Sequence, residues 1–272
     1  MKYYLDTEFL EGKQREKFPI NLFRKETPET IDLISIGIVA EDGREYYAIS
    51  KDFNLKEAWN RWQQRTGEGD RNKREPKEYW IRENILKPIF EEWIKKDSHW
   101  TNKDRTHGKW KFTYDNFKWH LDINGKTNKQ IAEEIAGKHN PMSFIKRKGQ
   151  IGGGTPVEFY AYYADYDWVV FCWLFGRMID LPYGFPMYCI DLKQIMDKVA
   201  KKVTNSAIKL QLGIPNNACI QEPTLKEKIG YLKRIPSYPI QVNEHNALAD
   251  ARWNKELHKF LNEINIKGRG KL

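Results

Sequence analysis

The sequence predicts an α/β fold, a mixed sheet flanked by helices, on three observations. Three strand-like runs follow one another closely at the N-terminus, with an Asp42-Gly43 turn between the second and third. A strong strand pattern at 157–163 runs directly into an apolar helix-like segment. The chain then closes on an amphipathic helical pattern from Ala247 to about Ile264.

The elements follow in order. Residues 2–9 are rich in aromatic and β-branched side chains, which suit a pleated, half-buried strand. A basic loop covers 12–30. Strands at 31–40 and 45–50 flank Glu41-Asp42-Gly43-Arg44, a hairpin turn of the Asp-Gly kind, so the first three strands form an antiparallel meander. Helices are predicted near 55–64, 76–96 and 128–138, with a mixed polar and aromatic stretch at 97–126. Gly152-Gly153-Gly154 is a flexible join, and no Gly-Lys-Ser/Thr follows it to make a phosphate loop. A fifth strand is predicted at 187–191, then a basic helix from 192 to 202. In the last helix Ala247, Leu248, Ala251, Leu257, Phe260, Leu261 and Ile264 recur at helical spacing.

Acidic residues and one histidine mark these elements. Asp6 and Glu8 lie two apart on the first strand, so their side chains share a face. Two carboxylates on one face repel unless a cation lies between them, and an all-oxygen donor set suits Mg²⁺ or Mn²⁺ rather than zinc. Taken alone, the pair also reads as a surface acidic pair. Asp165 and Asp167 stand where the 157–163 strand gives way to a helix. That position suits a ligand at the carboxyl end of a strand, and equally a helix N-cap. His245 precedes the last helix and Asp250 lies in its first turns. Ala247, Ala249 and Ala251 around Asp250 leave room for close approach to a sheet.

In order, D-x-E, a central Asp and H-x4-D resemble the DEDDh 3′–5′ exonucleases of the ribonuclease H-like superfamily. The likeness extends toward the RNase AS-like exoribonuclease branch through Tyr4-Leu-Asp-Thr-Glu-Phe, 32–48, 158–163, 174–178, Pro186-Met-Tyr188, Asp191-Leu192 and His245-Asn-Ala-Leu-Ala-Asp-Ala-Arg-Trp-Asn254. It implies a ribonuclease H-like core at 1–55 and 151–265 with a large insertion at about 56–150, all within one exonuclease domain. It favours Asp167 over Asp165, because the family's Asp often follows an aromatic residue directly. The implied catalytic set is Asp6, Glu8, Asp167, Asp250 and His245. The four carboxylates would hold two Mg²⁺ or Mn²⁺ ions about 3.5–4 Å apart, and His245 would act as base. Phe9 would pack on the terminal base or sugar; core packing is its equal alternative. The resemblance further implies single-stranded RNA 3′ ends as substrate, a preference for adenylate-rich RNA and a homodimer. A DNA exonuclease or an oligoribonuclease of the same fold is the alternative. A non-catalytic nucleic-acid-binding protein is the alternative from another class, and it has no need of four converging carboxylates.

Composition sets the surroundings. The net charge of +9 over 272 residues suits a polyanionic partner. Residues 1–55 carry 8 Lys+Arg against 11 Asp+Glu, whereas 56–150 carry 22 against 14 and hold seven of the ten tryptophans. Those tryptophans could stack on bases; a small aromatic core is the more ordinary use of most of them. Cys172, Cys189 and Cys219 lack zinc spacing, and so sparse a set fits a reducing, cytoplasmic setting. No secretory leader is expected, and no apolar run is long enough to cross a membrane.

Overall fold

The computed structural model describes residues 1–14, 26–64, 77–96, 110–137, 142–146, 156–215 and 221–267. Residues 15–25 of the basic loop, the Gly152–154 join and Cys219 lie outside the described residues.

A five-stranded mixed sheet forms the centre. Its strands are β1 (Lys2–Gly12), β2 (Thr30–Ala40), β3 (Glu45–Ile49), β6 (Glu158–Ala161) and β7 (Ile190–Asp191), in the spatial order β3-β2-β1-β6-β7. β4 (Gln63–Gln64) and β5 (Lys77–Glu78) pair separately as a small ribbon. The first three strands are the expected antiparallel meander, and β6 and β7 add in parallel. Gly43 makes the tight turn possible: its φ of +91° is a conformation that only glycine adopts without cost.

Alternation along β1 divides two cores. Tyr3 and Leu5 join Phe159, Trp168 and Phe171 on one face, where helix Ala164–Trp173 packs. Tyr4 faces the other way, into a cluster with Met196, Leu257, Phe260 and Leu261 beneath the C-terminal helix Ala247–Lys267. That helix approaches β2 very closely at Gly37. A Cβ there would stand 2.2 Å from the Ala247 carbonyl oxygen and 2.4 Å from the Leu248 Cα. Gly37 pairs directly with Asp6, so this contact fixes the helix over the acidic strand. Arg252 adds a two-pronged ion pair to Glu45 of β3, at 2.7 and 2.6 Å.

The middle of the chain packs on the same sheet. Leu10, Ile34 and Ile49 share a core with Ile85, Leu86, Ile89, Phe90, Phe117 and Leu121. The described tryptophans of this segment fall into two groups. Trp59, Trp80 and Trp93 pack on this core, whereas Trp62, Trp110 and Trp119 are exposed.

Several element boundaries differ from expectation. The helix at 55 ends at Asn60, because Arg61 turns extended and its guanidinium reaches back to the carbonyls of Glu11 and Lys13. In the stretch expected to be helical from 76, residues 77–78 pair as β5, and the main helix is Lys87–Lys96, entered through a π-helical turn at Arg82–Leu86. The expected strand at 187–191 is reduced to two residues, with Tyr188 and Met187 exposed. Helices Tyr114–Asn124, Asn205–Leu212 and Leu225–Lys233 were not expected. Each starts at a threonine whose side chain accepts from the backbone N–H three residues on: Thr113, Thr204 and Thr224.

Candidate active site

Asp6, Glu8, Phe9, Asp167, His245 and Asp250 line one pocket, a concavity of about 270 Å³. β1 pairs with β6 from Lys2 to Tyr4, so Asp6 and Glu8 lie just beyond the carboxyl end of the parallel pair. Ligand crevices of α/β sheets open at such strand ends.

Each acidic group is held by a different element. Asp6, Glu8 and Asp250 each bring a carboxylate oxygen within 4.8 Å of the others, a set able to hold a cation. Asp167 enters from helix Ala164–Trp173, near its N-terminus. Its Oδ1 accepts from the Thr7 backbone N–H at 2.8 Å and the Thr7 hydroxyl at 2.6 Å. Both Thr7 donors fall on that one oxygen, which leaves Oδ2 for a ligand. Asp165 is exposed while Asp167 is buried, so the geometry brings Asp167 to the pocket. Asp250 is fixed at both oxygens, Oδ1 by the Gln241 side-chain amide at 2.6 Å and Oδ2 by the His245 backbone N–H at 2.9 Å. Asn254, one turn on, donates to the Leu5 carbonyl at 3.0 Å and so ties the C-terminal helix to the acidic strand.

Burial raises the proton affinity of all four carboxylates. Burial, then repulsion from Asp167, Glu8 and Asp250, holds the Asp6 carboxyl well above the usual range. Burial followed by repulsion from Asp250 and Asp167 pushes Glu8 up to about 8. Asp167 rises to about 7 through burial, although the Thr7 hydrogen bonds pull it down. Asp250 is raised by burial against the pull of Gln241. Like charges crowded in a low dielectric favour protons or a divalent ion. Oxygen-only donors fit Mg²⁺ or Mn²⁺.

Backbone strain gathers here as well. Among the described residues, positive φ outside glycine occurs at Tyr163 (57°), Asn243 (57°) and His245 (67°). Tyr163 caps the helix carrying Asp167, and His245 faces the pocket. Such conformations cost on the order of 1–3 kcal/mol each and persist where the surroundings hold them.

The middle segment supplies the bracing of His245. The Trp80 ring meets the imidazole edge-on, with centroids 4.8 Å apart. Glu92 accepts from the Asn246 side-chain amide at 3.0 Å. Sequence reasoning missed Thr7, Gly37, Trp80, Gln241 and Asn254. Thr7 had a signal, since it stands between the two acids of D-x-E; the others become visible only in the fold. Phe9 packs on the core, stacks on Tyr166 at 5.7 Å and lines the pocket.

Against known proteins, the chain is 24% identical over 274 residues to two proteins of Mycobacterium tuberculosis, one from strain CDC 1551 / Oshkosh and one from strain H37Rv, each named a 3′–5′ exoribonuclease. The similarity spans 99% of this chain and 98% of each relative. No protein-family model matches the chain. No helix among the described residues is long and apolar enough to cross a membrane.

Proposed function

We propose that this chain is a metal-dependent 3′–5′ exoribonuclease. The observation that carries the reading is the convergence of Asp6, Glu8, Asp167, Asp250 and His245 on one pocket from three distant parts of the chain. The full-length similarity to two proteins named 3′–5′ exoribonuclease supports it.

Asp6, Glu8 and Asp250 would hold one Mg²⁺ or Mn²⁺ ion, with Asp6 shared and Asp167 contributing to a second. When bound, such a pair of ions neutralises charge on the attacking and leaving oxygens of the phosphodiester. His245 takes the proton from the attacking water, held in place by its backbone bond to Asp250 and by the Trp80 edge. Thr7 keeps Asp167 turned into the pocket. Phe9 and Tyr166 present ring faces to the terminal nucleotide. A preference for adenylate-rich RNA and a homodimeric state belong to the same reading, through the resemblance.

The test is incubation of 5′-labelled RNA and DNA of several sequences with the purified chain, with Mn²⁺ or with EDTA. Stepwise shortening of RNA from the 3′ end in Mn²⁺, and none in EDTA, is the expected result. Internal cuts, or loss of nucleotides from the 5′ end, would overturn the reading.

A further inference from the structure

Beside the carboxylate pocket lies a second, larger concavity of about 960 Å³, and it shares Glu8, Phe9 and Tyr166 with the first. Half of its remaining wall comes from the middle segment, Arg61, Trp62, Glu78, Trp80 and Ile81 among it, and much of the rest from β1 and β2. We propose that this cleft holds the bases of single-stranded RNA next to the 3′-terminal nucleotide, stacked on Trp62, Trp80, Tyr166 and Trp173. The inference rests on the reading that the carboxylate pocket takes an RNA 3′ end.

Three observations carry it. First, three of the four rings are about half exposed. Trp62 is 49% exposed, and Tyr166 and Trp173 are each 52% exposed, an unusual state for side chains of this size. Trp62 and Trp80 come from the middle segment, and Tyr166 and Trp173 from the helix that carries Asp167, so the rings face one space from two sides. Second, the cleft is continuous with the candidate active site through Phe9 and Tyr166, whose rings stack on each other. A chain whose last nucleotide lies at the carboxylates therefore runs on into the cleft. Third, the charges orient the occupant. Glu11, Glu29 and Glu78 stand on the cleft wall. The Arg61 guanidinium, the cation of the wall among the described residues, is taken up by Glu57 and the carbonyls of Glu11 and Lys13. Such a wall repels phosphates and accepts hydrogen bonds from base amino groups. Bases therefore face inward and the backbone faces solvent. A duplex hides its base faces and cannot enter in this way; stacking also tolerates any base.

The experiment measures affinity by fluorescence anisotropy in EDTA, so that no turnover occurs, using a short labelled single-stranded RNA. A second RNA has abasic sites just upstream of its 3′-terminal nucleotide. Trp80 is left in place because it touches His245. Trp62→Ala and Trp173→Ala are each expected to weaken RNA binding roughly 5- to 150-fold, the range of one base–aromatic stack. The abasic RNA should lose similar affinity on the wild-type chain and lose little more on the double variant. Trp62→Tyr and Trp173→Tyr, which keep a ring, should bind within a few-fold of wild type. Turnover of bis(p-nitrophenyl) phosphate in Mn²⁺, which needs no upstream nucleotide, should be unchanged in all four. Folded alanine variants that bind RNA as the wild type does would overturn the cleft and leave the exonuclease reading intact. Equal losses in the tyrosine and alanine variants would overturn stacking as the cause. A wild-type chain that turns over neither RNA nor the small diester would overturn the exonuclease reading, and anisotropy would still decide the cleft.

Discussion

The carboxylate pocket and the aromatic cleft adjoin, yet they are built on opposite principles. In the pocket two of the four carboxylates are tied by hydrogen bonds. Asp167 is held by Thr7, Asp250 by Gln241 and the His245 backbone, and the helix carrying Asp250 by Asn254. In the cleft the rings of Trp62, Tyr166 and Trp173 stand half open to solvent. Chemistry on a phosphodiester needs groups fixed to within a fraction of an ångström. Gripping successive bases of varied sequence needs flat surfaces that accept any of them. The difference separates what the two regions can contribute: the pocket to the rate constant, the cleft to affinity.

The sharpest way to break this division is at the carboxylates. Asp6→Ala is expected to abolish turnover in a gel assay of labelled RNA while leaving the circular dichroism spectrum unchanged. Asp167→Asn should do the same and the exposed Asp165→Asn should not; the reverse pattern would show that the Thr7 contact marks the wrong acid. His245→Ala should slow cleavage by roughly 10²–10⁴-fold, the usual contribution of a positioned base. Calorimetric titration should find its metal affinity retained, since His245 is not among the proposed ligands.

Smaller effects test the frame. Gly37→Ala drives a methyl group into the Ala247 carbonyl and forces the C-terminal helix off the sheet. Overpacking of this kind costs roughly 1–3 kcal/mol, about 2–4 °C of melting temperature per kcal/mol at this size. Asp250 should move with the helix, so activity falls more than stability does. The smallest effect is on pH. Glu8 at about 8 and Asp167 at about 7 hold protons in the folded chain that they lose when unfolded. The unfolded chain therefore binds fewer protons, and stability falls as pH rises from about 4 toward 8. Scanning calorimetry of the metal-free chain should show a lower melting temperature at pH 8 than at pH 5. Mn²⁺ should raise it most at pH 8, where the ion no longer competes with protons.

The sequence made the sheet and the pocket legible to different degrees. The meander was visible because its alternating strands and the Asp42-Gly43 turn are local signals. Asp6 and Glu8 could be placed on one face from strand period alone. Choosing Asp167 over Asp165 needed the family pattern, because both lie at a helix start and only packing decides which is buried. The role of Gly37 was hidden: a glycine in a strand reads as a weak point until the helix 210 residues further on is seen against it. The middle segment was least legible. Its tryptophans read as a private core, yet Trp80 touches His245 and Trp62 lines the cleft, contacts that depend wholly on tertiary placement.

The central claim is that four carboxylates from three parts of the chain make one site for a pair of divalent cations. Calorimetric titration of the metal-free protein with Mn²⁺ at neutral pH tests it most directly. Two ions bound per chain are expected for the wild type, and neither should bind with comparable affinity to Asp6→Ala. A wild-type chain that takes up no Mn²⁺, or an Asp6→Ala variant that binds as well as wild type, would contradict it.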